Sequence, residues 1–268
     1  MAGEVSVGDA AGHTEQVDPV EPVSARAPSL RGTVLMNQDW RDLTYLHWAV
    51  EPGRVAHLMP AGVRPDVLDG RTYVGLVPFR MVDAGFGRRT SVPWAGTFLE
   101  TNVRLYSVDE RGRRGVVFVS LDTDRLPVVV GARASLNIPY RWARMRHDLQ
   151  PAPPGRDGVG AVHTYSARLR WPGVRARSEV SVRVGERREA DALDDFVSAR
   201  WRLHTSVAGR TLLVPNAHEP WALHDVEVLT LDDGLLASVG FDELAERPPD
   251  HTAWSPGVHT VFGFPRRA

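Results

Sequence analysis

The sequence predicts a predominantly β domain of the α+β class, closed as a barrel or a sandwich. Two observations carry this. After residue 30 the chain is built mostly of short runs of β-branched and aromatic residues, several alternating with a period of two. Gly- and Pro-rich turns separate these runs at short spacing, and only a few stretches have helical texture. No internal repeat of fixed period interrupts the pattern. A chain of 268 residues with 43% hydrophobic content can bury a substantial core. The expected organisation is a flexible N-terminal leader over 1–30, rich in Gly, Ala, Glu, Val and Pro, followed by a single domain over 31–268.

Taken in order, LTYLHWAV (43–50) reads as a strand, and EPGRVAHLMPAGVRP (51–65) as a short helix closed by Pro60 and Gly62. Residues 71–82, 96–108 and 115–123 read as three further strands, the last two joined by the polar turn DERGRRG. RLPVVVGARASL (125–136) is ambiguous: its apolar run is β-branched, whereas Ala132, Arg133, Ala134 and Leu136 suit a helix. A Pro/Gly loop covers 150–160. Residues 161–171 and 176–184 form a hairpin through Pro172 and Gly173. Asp191 can cap a helix running through ALDDFVSARW. Short strands follow at 211–215, 224–231, 235–241 and 259–264.

Composition excludes several chemistries. There is no cysteine, so disulfides, thiolate nucleophiles and cysteine zinc sites are absent. There is also no lysine: all 32 residues of the Lys+Arg count are arginine. No side chain can therefore form a Schiff base, and no Walker-type phosphate loop is present. A net charge of −1 gives no field that would favour nucleic acid. No apolar run reaches the length of a membrane span, and the start lacks the pattern of a secretory signal. A cytoplasmic protein with neither nucleic-acid nor membrane partners is expected. Apolar strand edges allow a homo-oligomer without fixing its symmetry.

The strand at 96–107 carries the strongest candidate site. Alternation turns Phe98, Glu100, Asn102, Arg104 and Tyr106 to one face and Leu99, Thr101, Val103 and Leu105 to the other. The first face is either a solvated surface with cross-strand ion pairs or the lining of a barrel. In a barrel, Glu100 can transfer a proton while Arg104 clamps an anion. Arg80 follows a proline within an apolar strand, so it either surfaces or pairs with a carboxylate such as Glu100. NAHEPWALHD (216–225) offers His218 and Trp221 as substrate-binding candidates. His218 and His224 lie six residues apart across a proline, which is no established ligand spacing, so no metal and no cofactor is expected. His47 and His204 read as satisfied core or rim histidines. GFGRRTSVPWAG (85–96) lacks the strand–loop–helix context of a dinucleotide site, and no G-x-S-x-G elbow occurs.

Three segments, taken in order, resemble the YqjF-like family of bacterial domains of unknown function. They are LTYLHWAVEPGRVAHLMPAGVRPDVLDGRTYVGLVPFRM, ETNVRLYSVDERGRRGVVFVSLDTDRLPVVVGARASLNIPYRWARM and SARWRLHTSVAGRTLLVPNAHEPWALHDVEV. That family is similar in turn to the acetoacetate decarboxylase-like superfamily. The resemblance implies a mostly antiparallel, cone-shaped β-barrel with a few short helices and an internal small-molecule pocket. Acetoacetate decarboxylases carry a Gly-Arg-Glu segment, then Gly, an aromatic, Pro and a pair of lysines, the first of which forms the Schiff base. GAR (131–133) followed by NIPYR (137–141) resembles that segment, with Tyr140 and Arg141 in the lysine places. The superfamily's pocket glutamate corresponds more loosely to Glu100.

The expected function is thus a small-molecule enzyme acting without an imine on an acidic or keto substrate. Arg80, Arg104, Arg133 and Arg141, with Asn102, His218 and Trp221, would bind the substrate; Glu100 would move a proton, and Tyr140 would donate to an oxyanion. Enolisation, dehydration, cyclisation or imine-free decarboxylation all suit such a site. The alternative is a binding or sensing protein on the same barrel, with Glu100 a structural counter-ion.

Overall fold

The computed structural model describes residues 18–268. The chain begins with β1 (Val34–Val50), α1 (Pro52–Val55), β2 (Val63–Pro65), β3 (Thr72–Phe86), β4 (Phe98–Asp109) and β5 (Arg114–Thr123). Next come α2 (Leu126–Leu136), β6 (Tyr140–Gln150), β7 (Val162–Leu169), β8 (Arg177–Arg188) and α3 (Ala192–Ser198). It ends with β9 (Arg202–Val207), β10 (Arg210–His218), β11 (Leu223–Asp233), β12 (His251–Gly263) and β13 (Arg266–Arg267). All of these strands belong to one mostly antiparallel sheet, in the order β13-β10-β9-β5-β6-β7-β8-β11-β12-β1-β3-β4-β2. Two extra pairings, β4 with β5 and β10 with β12, close it on itself. The larger ring runs β5-β6-β7-β8-β11-β12-β1-β3-β4, and the smaller runs β12-β1-β3-β4-β5-β9-β10.

Strands β12, β1, β3, β4 and β5 belong to both rings, and β1, β3, β4 and β5 turn one face to each interior. Leu46, Trp48, Leu76, Val103, Leu105 and Val117 point into the larger ring and pack with Val180, Val182 and Phe241. Residues one position out of phase point into the smaller ring. β1 keeps this arrangement through a bulge near Asp42, whose φ of 55° places it in the left-handed region. Gly257 on the neighbouring β12 has a φ of +117°, and an added Cβ there would lie 1.8 Å from the Trp40 carbonyl oxygen.

The ambiguous segment 125–136 is helical. Pro127 fits its first turn, and Asn137 ends it in the left-handed conformation at φ 51°. Residues 235–241 correct the expectation of a strand: they form a 3-10 turn around Ala237–Val239. Their apolar side chains Leu236 and Phe241 plug the larger ring, so burial comes without extended backbone. Strands β6 and β9 were not expected; β6 is Arg-rich and half-exposed, which hides its alternation. α3 starts at Asp191 through reciprocal bonds, Asp194 N–H to Asp191 Oδ1 at 2.8 Å and Asp191 N–H to Asp194 Oδ2 at 3.0 Å. The expected leader falls outside the described residues up to 17. Its remainder lies on the barrel: Glu21 accepts from Arg114 N–H at 2.8 Å, and the Ser24 carbonyl accepts from Trp201 Nε1 at 3.0 Å.

Two glycine substitutions test this backbone account by urea denaturation. Gly257→Ala is expected to cost more than about 2 kcal/mol, through strain and collision with β1. Gly131→Ala, inside α2 and facing open space, is expected to be neutral or to stabilise by up to about 1 kcal/mol.

Candidate active site

The smaller ring encloses a cavity of about 130 Å³. Period-two alternation on its strands supplies the lining: Trp40 from β1, Phe79 from β3, Glu100, Asn102 and Arg104 from β4, and Asn216 and His218 from β10. The volume suits a ligand of a few heavy atoms, well below the roughly 300–1,000 Å³ of drug-sized pockets.

Glu100 is only 2% exposed. The Tyr140 hydroxyl donates to its Oε2 at 2.6 Å. Burial pushes the Glu100 carboxyl up to about 7; hydrogen bonds from Tyr140 and Asn102 act the other way. Burial, with the neighbouring Glu100, pushes the Tyr140 phenol well above its ordinary value, so it remains a donor. Tyr140 reaches this position because α2 stops at Asn137 and Pro139 leads directly into β6.

Arg104 donates from Nε to the Tyr106 hydroxyl at 3.0 Å and from Nη2 to the Val197 carbonyl at 2.7 Å. Its guanidinium lies over the Tyr45 ring at 5.4 Å. Among the described residues Nη1 has no hydrogen-bond partner. A second cavity guanidinium, Arg200, escaped the sequence reading. It donates from Nε to the Phe196 carbonyl at 2.6 Å and from Nη1 to Asp66 Oδ2 at 2.5 Å. It is buried beneath Tyr106 and Phe196, and its Nη2 has no partner. The Oδ1 atoms of Asn102 and Asn216 are likewise buried without a partner.

The aromatic wall is Trp40 stacked on Trp221, with centroids 6.0 Å apart and planes 11° apart. His218 packs against both rings. Its Nδ1 faces the Glu219 carbonyl at 2.7 Å and must carry the proton, which leaves Nε2 as an acceptor. Burial lowers its pKa to about 4, so it is neutral. His224 lies elsewhere, against Trp254 and the Gly185 carbonyl.

The structure thus brings Glu100, Asn102, Arg104, Tyr140, His218 and Trp221 together. Three of the sequence candidates do not reach the cavity. Arg80 surfaces because alternation turns Phe79 and Met81 inward, and it pairs with Asp42 at 2.9 Å. Arg133 lies on α2, stacks on Trp171 at 4.4 Å and donates to the Tyr140 carbonyl at 2.5 Å. It holds the start of β6 rather than a ligand. Arg141 follows Tyr140 on a strand, so it faces the opposite way. There it is buried and forks onto Asp122 at 2.6 and 2.8 Å. Arg200 gave no periodic signal, because it sits between α3 and β9, where the helix end sets its direction.

Fold and site together define a β-barrel protein of the acetoacetate decarboxylase-like fold whose internal cavity is largely apolar and carries a few polar side chains. Residues 37–259 match the family model DUF2071, described as "Uncharacterized conserved protein (COG2071)", and the chain belongs to that family. It is 26% identical over 196 residues to the uncharacterized protein YqjF of Bacillus subtilis (strain 168), covering 73% of this chain and 78% of YqjF. Among solved structures, it is similar to the enduracididine biosynthesis enzyme MppR complexed with pyruvate. The TM-score is 0.57 at 16% identity, covering 89% of this chain and 92% of that one. An acetoacetate decarboxylase-like enzyme from Sphingomonas wittichii RW1 gives a TM-score of 0.56 at 16% identity, covering 90% and 95%. Acetoacetate decarboxylase from Legionella pneumophila gives 0.53 at 11%, covering 90% and 91%.

Placement of the arginines predicts two unequal costs in thermal or urea denaturation. Arg141→Ala strands the buried Asp122 carboxylate and is expected to cost about 3–5 kcal/mol. Arg80→Ala loses a surface pair and is expected to cost less than about 1 kcal/mol. Equal costs would contradict the assigned faces.

Proposed function

We propose that the cavity binds a small keto acid and moves a proton on the carbon next to its carbonyl, without an imine. The observation that carries this reading is Glu100: a sealed carboxyl at about 7, hydrogen-bonded to a phenol, in the same cavity as two guanidiniums with unpartnered nitrogens. Near neutral pH both forms of Glu100 are populated, which a proton-transfer group needs. Arg104 Nη1 and Arg200 Nη2 take the carboxylate. The Tyr140 hydroxyl turns from Glu100 to the keto oxygen. Ionised Glu100 removes the proton, the electron pair of the C–H bond moves into the carbonyl, and the enolate oxygen is held by Tyr140. Return of the proton from Glu100, to carbon or to a leaving group, gives enolisation or elimination. Cyclisation uses that enolate as a carbon nucleophile; decarboxylation of a β-keto acid reaches an enolate by breaking the C–C bond to the carboxylate, CO2 leaves, and protonated Glu100 supplies the proton to carbon. Without lysine no side chain can form a Schiff base. The occurrence of pyruvate in MppR supports pyruvate as a first probe.

A second reading, a ligand-binding or sensing protein, is favoured by the same Tyr140–Glu100 bond, since a satisfied carboxyl can serve as structure. Two measurements separate them. Wild-type protein is expected to raise the rate of deuterium exchange at the pyruvate methyl group in D2O, read by proton NMR, and Glu100→Gln is expected to abolish that rise. Unchanged exchange in Glu100→Gln would sink the enzymatic reading. Pyruvate is also expected to raise the melting temperature, and Arg104→Ala to remove the rise. Stabilisation without exchange would favour the binding protein.

A further inference from the structure

Behind Arg104 lies a buried row of hydrogen-bonding side chains that the proposed chemistry does not use. Arg104 Nε is 3.0 Å from the Tyr106 hydroxyl, which is 2.6 Å from His47 Nε2. His47 Nδ1 is 2.9 Å from His251 Nδ1, and His251 Nε2 is 2.7 Å from Asp194 Oδ1. Tyr106 and His47 are fully buried, and His251 is 8% exposed. Gly75 on β3 makes room for the row, because an added Cβ would lie 2.7 Å from His47 Cδ2.

Requiring every donor in this row to meet an acceptor fixes its protons. The Arg104 Nε–H can only donate, so the Tyr106 oxygen accepts. The single Tyr106 proton then goes to His47 Nε2, which must be bare. Burial holds the His47 pKa well below its ordinary value, and the Arg104 cation acts the same way, so His47 is neutral and carries its proton on Nδ1. That proton goes to His251 Nδ1, which leaves the His251 proton on Nε2, facing Asp194. All four bonds therefore run one way, from a cation to a carboxylate, and each polarises the next. Asp194 is kept ionised against burial by bonds from His251 and Arg188.

We propose that Asp194, His251, His47 and Tyr106 are positioning residues for Arg104, forming a one-way relay that orients its guanidinium toward the ligand. α3 closes the device into a loop. Asp194 belongs to its first turn and the Val197 carbonyl to its last, and Val197 accepts from Arg104 Nη2 at 2.7 Å. One short helix thus grips the guanidinium directly at Nη2 and, through the relay, at Nε. Nη1 alone is left for an anion. The inference rests on the reading of Arg104 as an anion clamp, but its protons can be tested without any ligand.

The test is histidine and arginine side-chain NMR on the 15N-labelled full chain at neutral pH. Neutral His47 protonated on Nδ1 and neutral His251 protonated on Nε2 are expected. Any other tautomer, or an imidazolium at either residue, overturns the relay. In His251→Phe, exchange of the Arg104 Nε–H with water is expected to accelerate roughly three- to tenfold, the loss of one net hydrogen bond three links away. Arg200 Nε–H, which donates to Phe196 outside the relay, is expected to keep its rate. An unchanged Arg104 rate overturns the proposal, as does a common rise in both arginines, which would mean general loosening. If His251→Phe does not fold, the wild-type tautomers decide. With pyruvate as probe, Tyr106→Phe is expected to raise the dissociation constant by a similar factor, and Arg80→Ala to leave it unchanged. Equal effects overturn the proposal. Failure of wild-type protein to bind pyruvate counts against the proposed function alone, and the NMR result still decides the relay.

Discussion

β4 is largely buried on both faces, so Glu100 and Asn102 have no bulk water to turn to, and Arg104 is half-buried. An unpaired charge in such a place costs several kcal/mol, and a carboxyl escapes by taking up a proton. Much of the architecture around the smaller ring answers this constraint. Tyr140 donates to Glu100, carbonyls of α3 accept from Arg104 and Arg200, and Asp66 neutralises Arg200. The atoms left over are the informative ones. Among the described residues, Arg200 Nη2 and the Oδ1 atoms of Asn102 and Asn216 are buried without partners, and with Arg104 Nη1 they are the atoms that the proposed guest, with an anionic group and a donor, would meet.

The GARASLNIPYRWARM segment shows how one strand divides two roles. NIPYR (137–141) resembles the segment in which acetoacetate decarboxylases carry two lysines, a correspondence that would set Tyr140 and Arg141 in the lysine places. On β6 the two residues face opposite ways. Tyr140 enters the cavity and meets Glu100; Arg141 enters the larger ring and meets Asp122. On that correspondence, a phenol in place of an amine would give up imine chemistry and keep a hydrogen-bond donor. The cation that could have tuned a neighbouring amine is occupied instead in a structural ion pair.

Much of the site was legible in the sequence because it follows period-two alternation. Counting places Glu100, Asn102 and Arg104 on one face, and the same pattern gives β4 and β5 to within two residues, whereas β3 continues four residues beyond the expected 82, to Phe86. What was missed depends on direction rather than pattern. Arg80 could be judged only by knowing which β3 face meets the cavity. Arg133 and Arg141 were drawn toward the site by a motif that fixes position in the chain but not facing. Arg200 sits where a helix gives way to a strand, and no periodicity passes through that point. The run at 235–241 is apolar enough for a strand, yet it fills the larger ring as a turn. His47 and His251 are 204 positions apart, so their meeting depends on the β1–β12 pairing, which no local window contains.

The account stands or falls on the protonation of one carboxyl group. Its most direct test is a titration of the Glu100 side chain by carboxyl 13C NMR, assigned with Glu100→Gln. A midpoint near 7 is expected, displaced from the ordinary 4.5 by burial. A midpoint at or below that ordinary value would mean a carboxylate that is simply paired and ionised, and would contradict the role of Glu100 as the group that moves the proton.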